Sequence, residues 1–271
     1  IDGNVLNELE HFKPSNLSKV GRNETVSSAV VLDYLKQAIE FHFKYGDLLI
    51  EAYNEYKEVI ENKDDVDFEE ILPLELRNIG MSKWYNYLSE SKRFIFLREN
   101  KSLRDLIQVY YGATQIVVGA IMARRQSELC SLISNDSVDE LNKLLLFKRS
   151  KSTKGLFGIK DTLALPVEDV VISMIKNIEK FHNKEDNNSL FSVPALNKPS
   201  FICKNVDSDS YNQNIDLFLD YIEAPLKDGK RLYIRQHQLR RFFAMAFFWG
   251  NGLGSMDTLR WFLGHTDVEH L

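Results

Sequence analysis

Three short segments between residue 125 and residue 265 contain grouped cations and histidines. They read "RQSEL", "HQLRR" and "LGH", and their notable side chains are those of Arg125, His237, Arg240 and His265. Planar guanidinium groups donate paired hydrogen bonds to phosphate or carboxylate oxygens, whereas histidine can donate a hydrogen bond or transfer a proton near neutral pH. Because His237 and Arg240 are three residues apart, a helix places them on overlapping faces. These residue types predict a site that binds an anion such as a phosphodiester.

Each segment also has a simpler explanation when it is taken alone. Cations at the start of a helix are commonly solvated, and His237 can be a core histidine with satisfied hydrogen bonds. Arg124 and Arg125 are neighbours, so on a helix their side chains diverge by about 100° and only one of them can face a given pocket. Glu128 can pair with either arginine. For Arg124 we expect an exposed ion pair with Glu128, worth roughly a few tenths of a kcal/mol.

Two runs of cations lie close to these segments in the sequence, although the formal net charge of the chain is −5. The first, from residue 141 to residue 160, contains no carboxylate, and the second spans residues 227–241. A solvated face explains any single charge run, but two runs on an acidic protein favour a local anion-binding surface. The cations considered below for contacts with phosphates are Lys148, Arg149, Lys151, Lys154 and Arg241.

Hydrophobic periodicity predicts the elements that position these residues. The apolar residues of segment 25–62 recur at helical spacing, with Gly46 as a kink or break. Ser102 is expected to cap the first of one or two buried helices. The period changes in residues 141–167, where two apolar runs flank a lysine-rich centre, which predicts a hairpin. Further helices are expected in residues 167–181, 210–224 and 237–249, the last of them largely buried because it is apolar almost all round. A short helix after Ser255 should end at Gly264. The predicted fold class is therefore mainly α with a small antiparallel β-sheet (α+β).

Composition excludes several classes of protein. The apolar fraction of 44% is that of an ordinary globular protein, and the longest apolar stretch is shorter than the roughly 20 residues that a membrane span needs. Cys130 and Cys203 lack the spacing of a zinc site and indicate a reducing compartment, so we expect a cytoplasmic protein without a metal centre. A division of the chain near residue 95 is also expected.

In order, identity and approximate spacing, residues 95–271 resemble the tyrosine recombinases, or phage-type integrases. In that family an arginine precedes S-E-L, a hairpin lysine follows, and H-x-L-R, L-G-H and a nucleophilic tyrosine come next. The resemblance implies an integrase-like catalytic domain in residues 96–271, preceded in residues 1–95 by a helical region that forms part of a DNA clamp. It also implies a site-specific enzyme of mobile genetic elements, of bacterial or phage origin. Such an enzyme breaks and rejoins duplex DNA through a 3′-phosphotyrosyl intermediate, without a cofactor, and associates with itself on DNA.

The same resemblance assigns roles to individual residues. It implies catalytic roles for Arg125, Lys154, His237, Arg240 and His265, with Lys151 as the alternative general acid. It implies contacts with the DNA backbone for Lys148, Arg149, Lys151 and Arg241. The tyrosine is expected shortly after Leu271, so the present 271 residues should bind a phosphodiester without cutting it.

The chain also departs from the family pattern. Arg241 stands where the family often has a second histidine, and the interval from Arg240 to His265 is longer than usual. A type IB topoisomerase, which shares this set of residues, and a DNA-binding relative without catalytic activity are the alternatives that the sequence leaves open.

Overall fold

The computed structural model of the protein describes residues 25–62, 73–78, 81–82, 101–148, 162–183, 188–196, 206–227, 229–250 and 256–264. The helices in this part of the chain are α1 (Ser28–Asn62), α2 (Leu74–Asn78), α3 (Leu103–Met122), α4 (Gln126–Cys130), α5 (Asp169–Glu179), α6 (Ser208–Tyr221), α7 (Gln236–Gly250) and α8 (Met256–Leu263). The strands are β1 (Met81–Ser82), β2 (Lys101–Ser102), β3 (Val138–Asp139), β4 (Leu144–Lys148), β5 (Thr162–Pro166), β6 (Leu226–Lys227) and β7 (Lys230–Arg231). The predicted α+β class is confirmed. No helix in these segments is long and apolar enough to cross a membrane.

Helix α3 is the central element of the hydrophobic core. Nearly all of its residues are buried, and helices α1, α6 and α7 pack against it. The predicted cap is confirmed, because the Ser102 hydroxyl oxygen accepts a hydrogen bond from the Asp105 N–H at 3.2 Å. The helix ends at Ala123, which has a left-handed φ of 49° and donates its N–H to the Gly119 carbonyl. This end of α3 is where the candidate site lies.

Helix α1 runs unbroken through Gly46, so the predicted break at this glycine is wrong. Gly46 is buried, and a Cβ there would lie 3.1 Å from the Tyr110 hydroxyl and 3.2 Å from the Asn177 side-chain nitrogen. The glycine therefore makes room for two neighbouring side chains. Side chains of α1 belong to the same core as those of α3 and α5. The expected division near residue 95 lies outside the described residues and stays a prediction.

The antiparallel sheet β3-β4-β5 contains the predicted hairpin. Strands β4 and β5 pair from Leu144 opposite Pro166 to Lys148 opposite Thr162. Phe147 and Leu165 are buried, whereas Lys148 is exposed at the end of β4. The strands of the hairpin are thus confirmed, and residues 149–161, which connect them, lie outside the described residues.

Helices α7 and α8 form the last part of the fold. Leu239 and Phe242 in the first half of α7 are buried, but Phe248 is 48% exposed. The prediction of a largely buried α7 is therefore wrong, because its second half packs mainly on α8 and leaves one side open. The predicted short helix is confirmed in α8, whose Leu263 is buried and is followed by Gly264 with a φ of 68°.

The close packing of α6 on α3 predicts a strong effect of one methyl group. A Cβ on Gly112 would lie 2.7 Å from the Asn214 carbonyl carbon, nearer still to its oxygen, and 2.9 Å from the Phe218 Cβ. Because the backbone of α6 must shift, we expect Gly112→Ala to lower the free energy of unfolding by about 3 kcal/mol. Gly250→Ala is the matched control, since a Cβ there meets nothing within 4 Å. Equal stabilities of the two variants in thermal unfolding would contradict this packing.

Candidate anion-binding site

Arg240 bridges the C-terminal ends of two helices that are distant in sequence. Its Nη1 donates to the Ala123 carbonyl at the end of α3, and its Nη2 donates to the Leu263 carbonyl at the end of α8, both at 2.7 Å. The carbonyl groups at a helix C-terminus favour a nearby cation. Arg240 of the "HQLRR" segment is thereby hydrogen-bonded to Leu263 of the "LGH" segment and to Ala123, the residue that precedes the two adjacent arginines.

Other arginines lie close enough to Arg240 to change its pKa. Burial first, and then the charges of Arg125 and Arg124, lower the pKa of Arg240 to about 10, while Glu128 acts in the opposite direction. Arg240 is therefore still protonated at neutral pH. Three guanidinium groups and one carboxylate form this cluster, which has a formal charge of +2.

Arg124 is fully buried, so the expectation of an exposed ion pair with Glu128 is wrong. Its Nε and Nη2 lie 2.9 and 2.8 Å from the same Glu128 oxygen, Oε2. Nη1 donates to the Phe262 carbonyl at 2.8 Å, and the guanidinium lies over the Phe147 ring, 5.4 Å from its centroid. The physical reason is that carbonyl, carboxylate and aromatic partners surround this cation and replace its hydration.

Gly264 places the turn after α8 directly against Arg124. Its φ of 68° favours glycine, and a Cβ at this position would lie only 3.1 Å from the Arg124 Nη2. Arg124 therefore contacts both the last turn of α8 and the glycine of the "LGH" segment. His265, the next residue, lies outside the described residues.

Arg125 is far more accessible than Arg124, with a side chain that is 31% exposed against 1% for Arg124. It is the N-cap residue of α4, and its backbone N–H donates to the Glu128 Oε2 at 3.2 Å. Its Nη1 lies 3.5 Å from the other Glu128 oxygen, Oε1, which is long for a charge-assisted hydrogen bond. One buried carboxylate thus contacts both arginines, and it holds Arg125 the more loosely.

Gln236 is a further residue of the site, which the sequence analysis did not identify. Its Nε2 donates to the carbonyls of Gly119 and Arg124 at 3.0 and 2.9 Å. It therefore satisfies carbonyls at the end of α3 and fixes the start of α7 there. The sequence points to Gln236 only through its position next to His237. A polar residue at the start of a helix is ordinarily solvated, so its residue type alone does not indicate a buried contact.

His237 lies on the exposed side of the first turn of α7, and Arg241 is half-buried one turn further on. Burial, and then the charges of Arg241 and Arg235, lower the pKa of His237 below its ordinary value of 6.5. The neutral imidazole, which can accept a proton, is thus favoured near neutral pH.

This electrostatic coupling predicts a pKa change that can be measured. Arg241→Gln removes one repulsive charge, so we expect the pKa of His237 to rise toward 6.5. In the parent protein the unfolded chain binds more protons at His237, so this group makes stability increase as pH rises through the interval up to 6.5. The Arg241→Gln variant should show a smaller increase. Titration of the His237 ring by NMR measures the pKa, and Lys36→Gln, which removes a charge that does not contribute to the His237 shift, should leave it unaltered.

The remaining predicted site residues divide into two groups. Lys148 is exposed at the end of β4, directly after the Phe147 ring that packs on Arg124, so the described end of the hairpin adjoins the cluster. The others, namely Arg149, Lys151, Lys154 and His265, lie outside the described residues. Arg125 and Arg240 are brought together, with His237 one turn from Arg240.

Comparison of the chain with protein-family models, curated proteins and solved structures finds no match.

Proposed function

We propose that this chain is the DNA-binding and phosphate-activating part of a site-specific recombinase that breaks and rejoins DNA strands. In this proposal a tyrosine oxygen attacks the phosphorus atom, the bond from phosphorus to the 5′-oxygen breaks, and a 3′-phosphotyrosyl intermediate forms. The resemblance described above suggests the reaction and its tyrosine nucleophile. The support from the structure is the geometry of the arginine cluster.

One observation carries the proposal: Arg125 and Arg240, which are 115 positions apart in the sequence, belong to one cluster with an excess of positive charge. The phosphate under attack gains negative charge on its non-bridging oxygens, and guanidinium groups stabilise that charge by paired hydrogen bonds. The cluster is partly buried, where such interactions are stronger than in water. The phosphate group under attack approaches a charge of −2 in the transition state, which the formal charge of +2 on the cluster can balance.

The other proposed roles follow from the order of chemical steps. His237 takes part in proton transfer with the nucleophile, for which a lowered pKa and an exposed position on α7 are suitable. His265 adds a donor to the phosphate. Lys154, or alternatively Lys151, donates a proton to the leaving 5′-oxygen. Lys148 and Arg241, with Arg149, contact neighbouring phosphates of the duplex.

The first test is the dependence of DNA binding on salt. We expect the affinity of this chain for a labelled duplex to fall steeply between two salt concentrations, because each phosphate contact releases counterions. Lys148→Ala should reduce the slope of log affinity against log salt by about 1. Lys36→Ala is the control, since Lys36 is exposed on α1 and pairs with Glu40. An affinity that does not respond to salt would remove the DNA-binding proposal.

A further inference from the structure

We propose that Arg124 is a positioning residue that acts through Glu128: it neutralises this carboxylate and so leaves Arg125 able to exchange Glu128 for a phosphate. The inference rests on the proposed function, in which Arg125 contacts the phosphate. It assigns a role to the first of the two adjacent arginines, whose side chain does not face the exposed part of the site.

The distances around Glu128 distinguish the two arginines. Arg124 contacts Oε2 through two nitrogens at 2.9 and 2.8 Å, which are ordinary lengths for charge-assisted hydrogen bonds. Arg125 contacts Oε1 through one nitrogen at 3.5 Å, beyond that range. Glu128 is therefore bound mainly by Arg124, and little has to be broken when the Arg125 guanidinium moves to another anion.

The burial of Arg124 and Glu128 determines how Arg125 responds when Arg124 is removed. The side chains of Arg124 and Glu128 are each 1% exposed. Water therefore cannot solvate the Glu128 carboxylate when a substitution removes the Arg124 cation. A buried carboxylate without its cation is strongly disfavoured and recruits another one. Arg125 already contacts this carboxylate, whereas the Nη1 and Nη2 of Arg240 donate to two backbone carbonyls. Without Arg124, Glu128 should hold Arg125 as a tight pair and withdraw it from the phosphate.

The same geometry explains why Arg124 cannot itself serve as the phosphate ligand. Its three nitrogens contact Glu128 and the Phe262 carbonyl, and Gly264 covers its guanidinium. A phosphate could reach it only after α8 had moved. Arg124 therefore acts on the site through charge, and Arg125 makes the contact.

The experiment uses inorganic phosphate as the probe and the Nε–Hε NMR signal of Arg125 in protein labelled with 15N-arginine as the readout. In the parent protein this signal should shift on titration with phosphate. In Arg124→Met the response should be at least about tenfold weaker, as expected for the loss of one charge-assisted contact. In the double variant Arg124→Met with Glu128→Gln, which removes both buried charges, the response should return to within about threefold of the parent.

Arg124→Lys keeps the proposal testable if Arg124→Met does not fold. The lysine retains the charge that neutralises Glu128, so the response of Arg125 should remain close to that of the parent protein. If the guanidinium fork of Arg124 had only a structural role, the result would differ. The response of the Arg125 signal to phosphate would then be weaker than in the parent protein for both the lysine variant and the double variant. That result, a parent-like response of Arg124→Met, or a parent protein whose Arg125 signal ignores phosphate would each overturn the inference.

These outcomes are separate from those that test the proposed function, because the phosphate titration needs neither DNA nor a tyrosine. If Arg125 responds to phosphate as expected but duplex binding does not depend on salt, the recombinase proposal fails and the role of Arg124 stands. If duplex binding depends on salt but Arg124→Met responds like the parent protein, only the role of Arg124 fails.

Discussion

Arg125→Ala is expected to reduce DNA strand cleavage by at least about 10²- to 10³-fold, the usual effect of removing one donor that stabilises charge in the transition state. Affinity for duplex DNA should stay close to that of the parent protein, because many phosphate contacts along the duplex contribute to binding. The expected separation of cleavage from binding is what distinguishes a residue that acts on the reacting phosphate from a general DNA contact.

The environment of Arg125 makes this variant easy to interpret. The backbone N–H that contacts Glu128 remains in the alanine variant, and the lost side-chain contact is a long one of 3.5 Å on a side chain that is 31% exposed. We therefore expect the free energy of unfolding to change by less than about 1 kcal/mol. A thermal unfolding curve measures this change, so a loss of activity cannot be confused with a loss of folded protein.

Cleavage is measured in protein that carries the proposed tyrosine nucleophile, as the covalent protein–DNA adduct formed on a nicked duplex. Arg104→Ala is the matched control, since Arg104 is an exposed arginine at the opposite end of α3, about 30 Å from Ala123. The control should cleave like the parent protein. Normal adduct formation by Arg125→Ala would remove Arg125 from the reaction.

The sequence predicted those parts of the fold that depend on local rules. Ser102 and Gly264 were identified because helix capping and left-handed termination depend on a few neighbouring residues. The role of Gly46 cannot be predicted in this way, because a glycine within a helix either bends the helix or makes room for a neighbouring side chain. The positions of Tyr110 and Asn177, both distant in sequence, decide between these two uses.

The candidate site could be predicted in part for the same physical reason. Motif order grouped Arg125, His237 and Arg240, and the spacing indicated that Glu128 could reach either adjacent arginine. The spacing could not indicate that Glu128 contacts both arginines. Nor could it indicate that Arg124 is buried, because this burial depends on Phe262 and Gly264 at the end of α8. The burial of a charge is thus decided by tertiary contacts that periodicity does not encode.

Arg240→Ala is expected to affect both cleavage and stability, unlike Arg125→Ala. Arg240 donates to the Ala123 and Leu263 carbonyls at 2.7 Å, and its removal leaves two acceptors at helix ends without this cation. Each such loss costs about 1–3 kcal/mol, so the free energy of unfolding should fall by about 2–6 kcal/mol. Cleavage should fall by at least about 10²-fold even at temperatures where the variant is folded.

Arg240→Lys tests whether the fork of the guanidinium, as well as its charge, is needed. A lysine presents its charge on one nitrogen, whereas Arg240 uses two separate nitrogens to reach carbonyls on α3 and α8. We therefore expect the lysine variant to recover part of the stability lost in Arg240→Ala but little of the cleavage. Thermal unfolding and adduct formation, measured on the same preparations, compare the two properties. Full recovery of cleavage by lysine would mean that charge alone suffices, and unchanged stability of Arg240→Ala would mean that Arg240 does not hold α3 and α8 together.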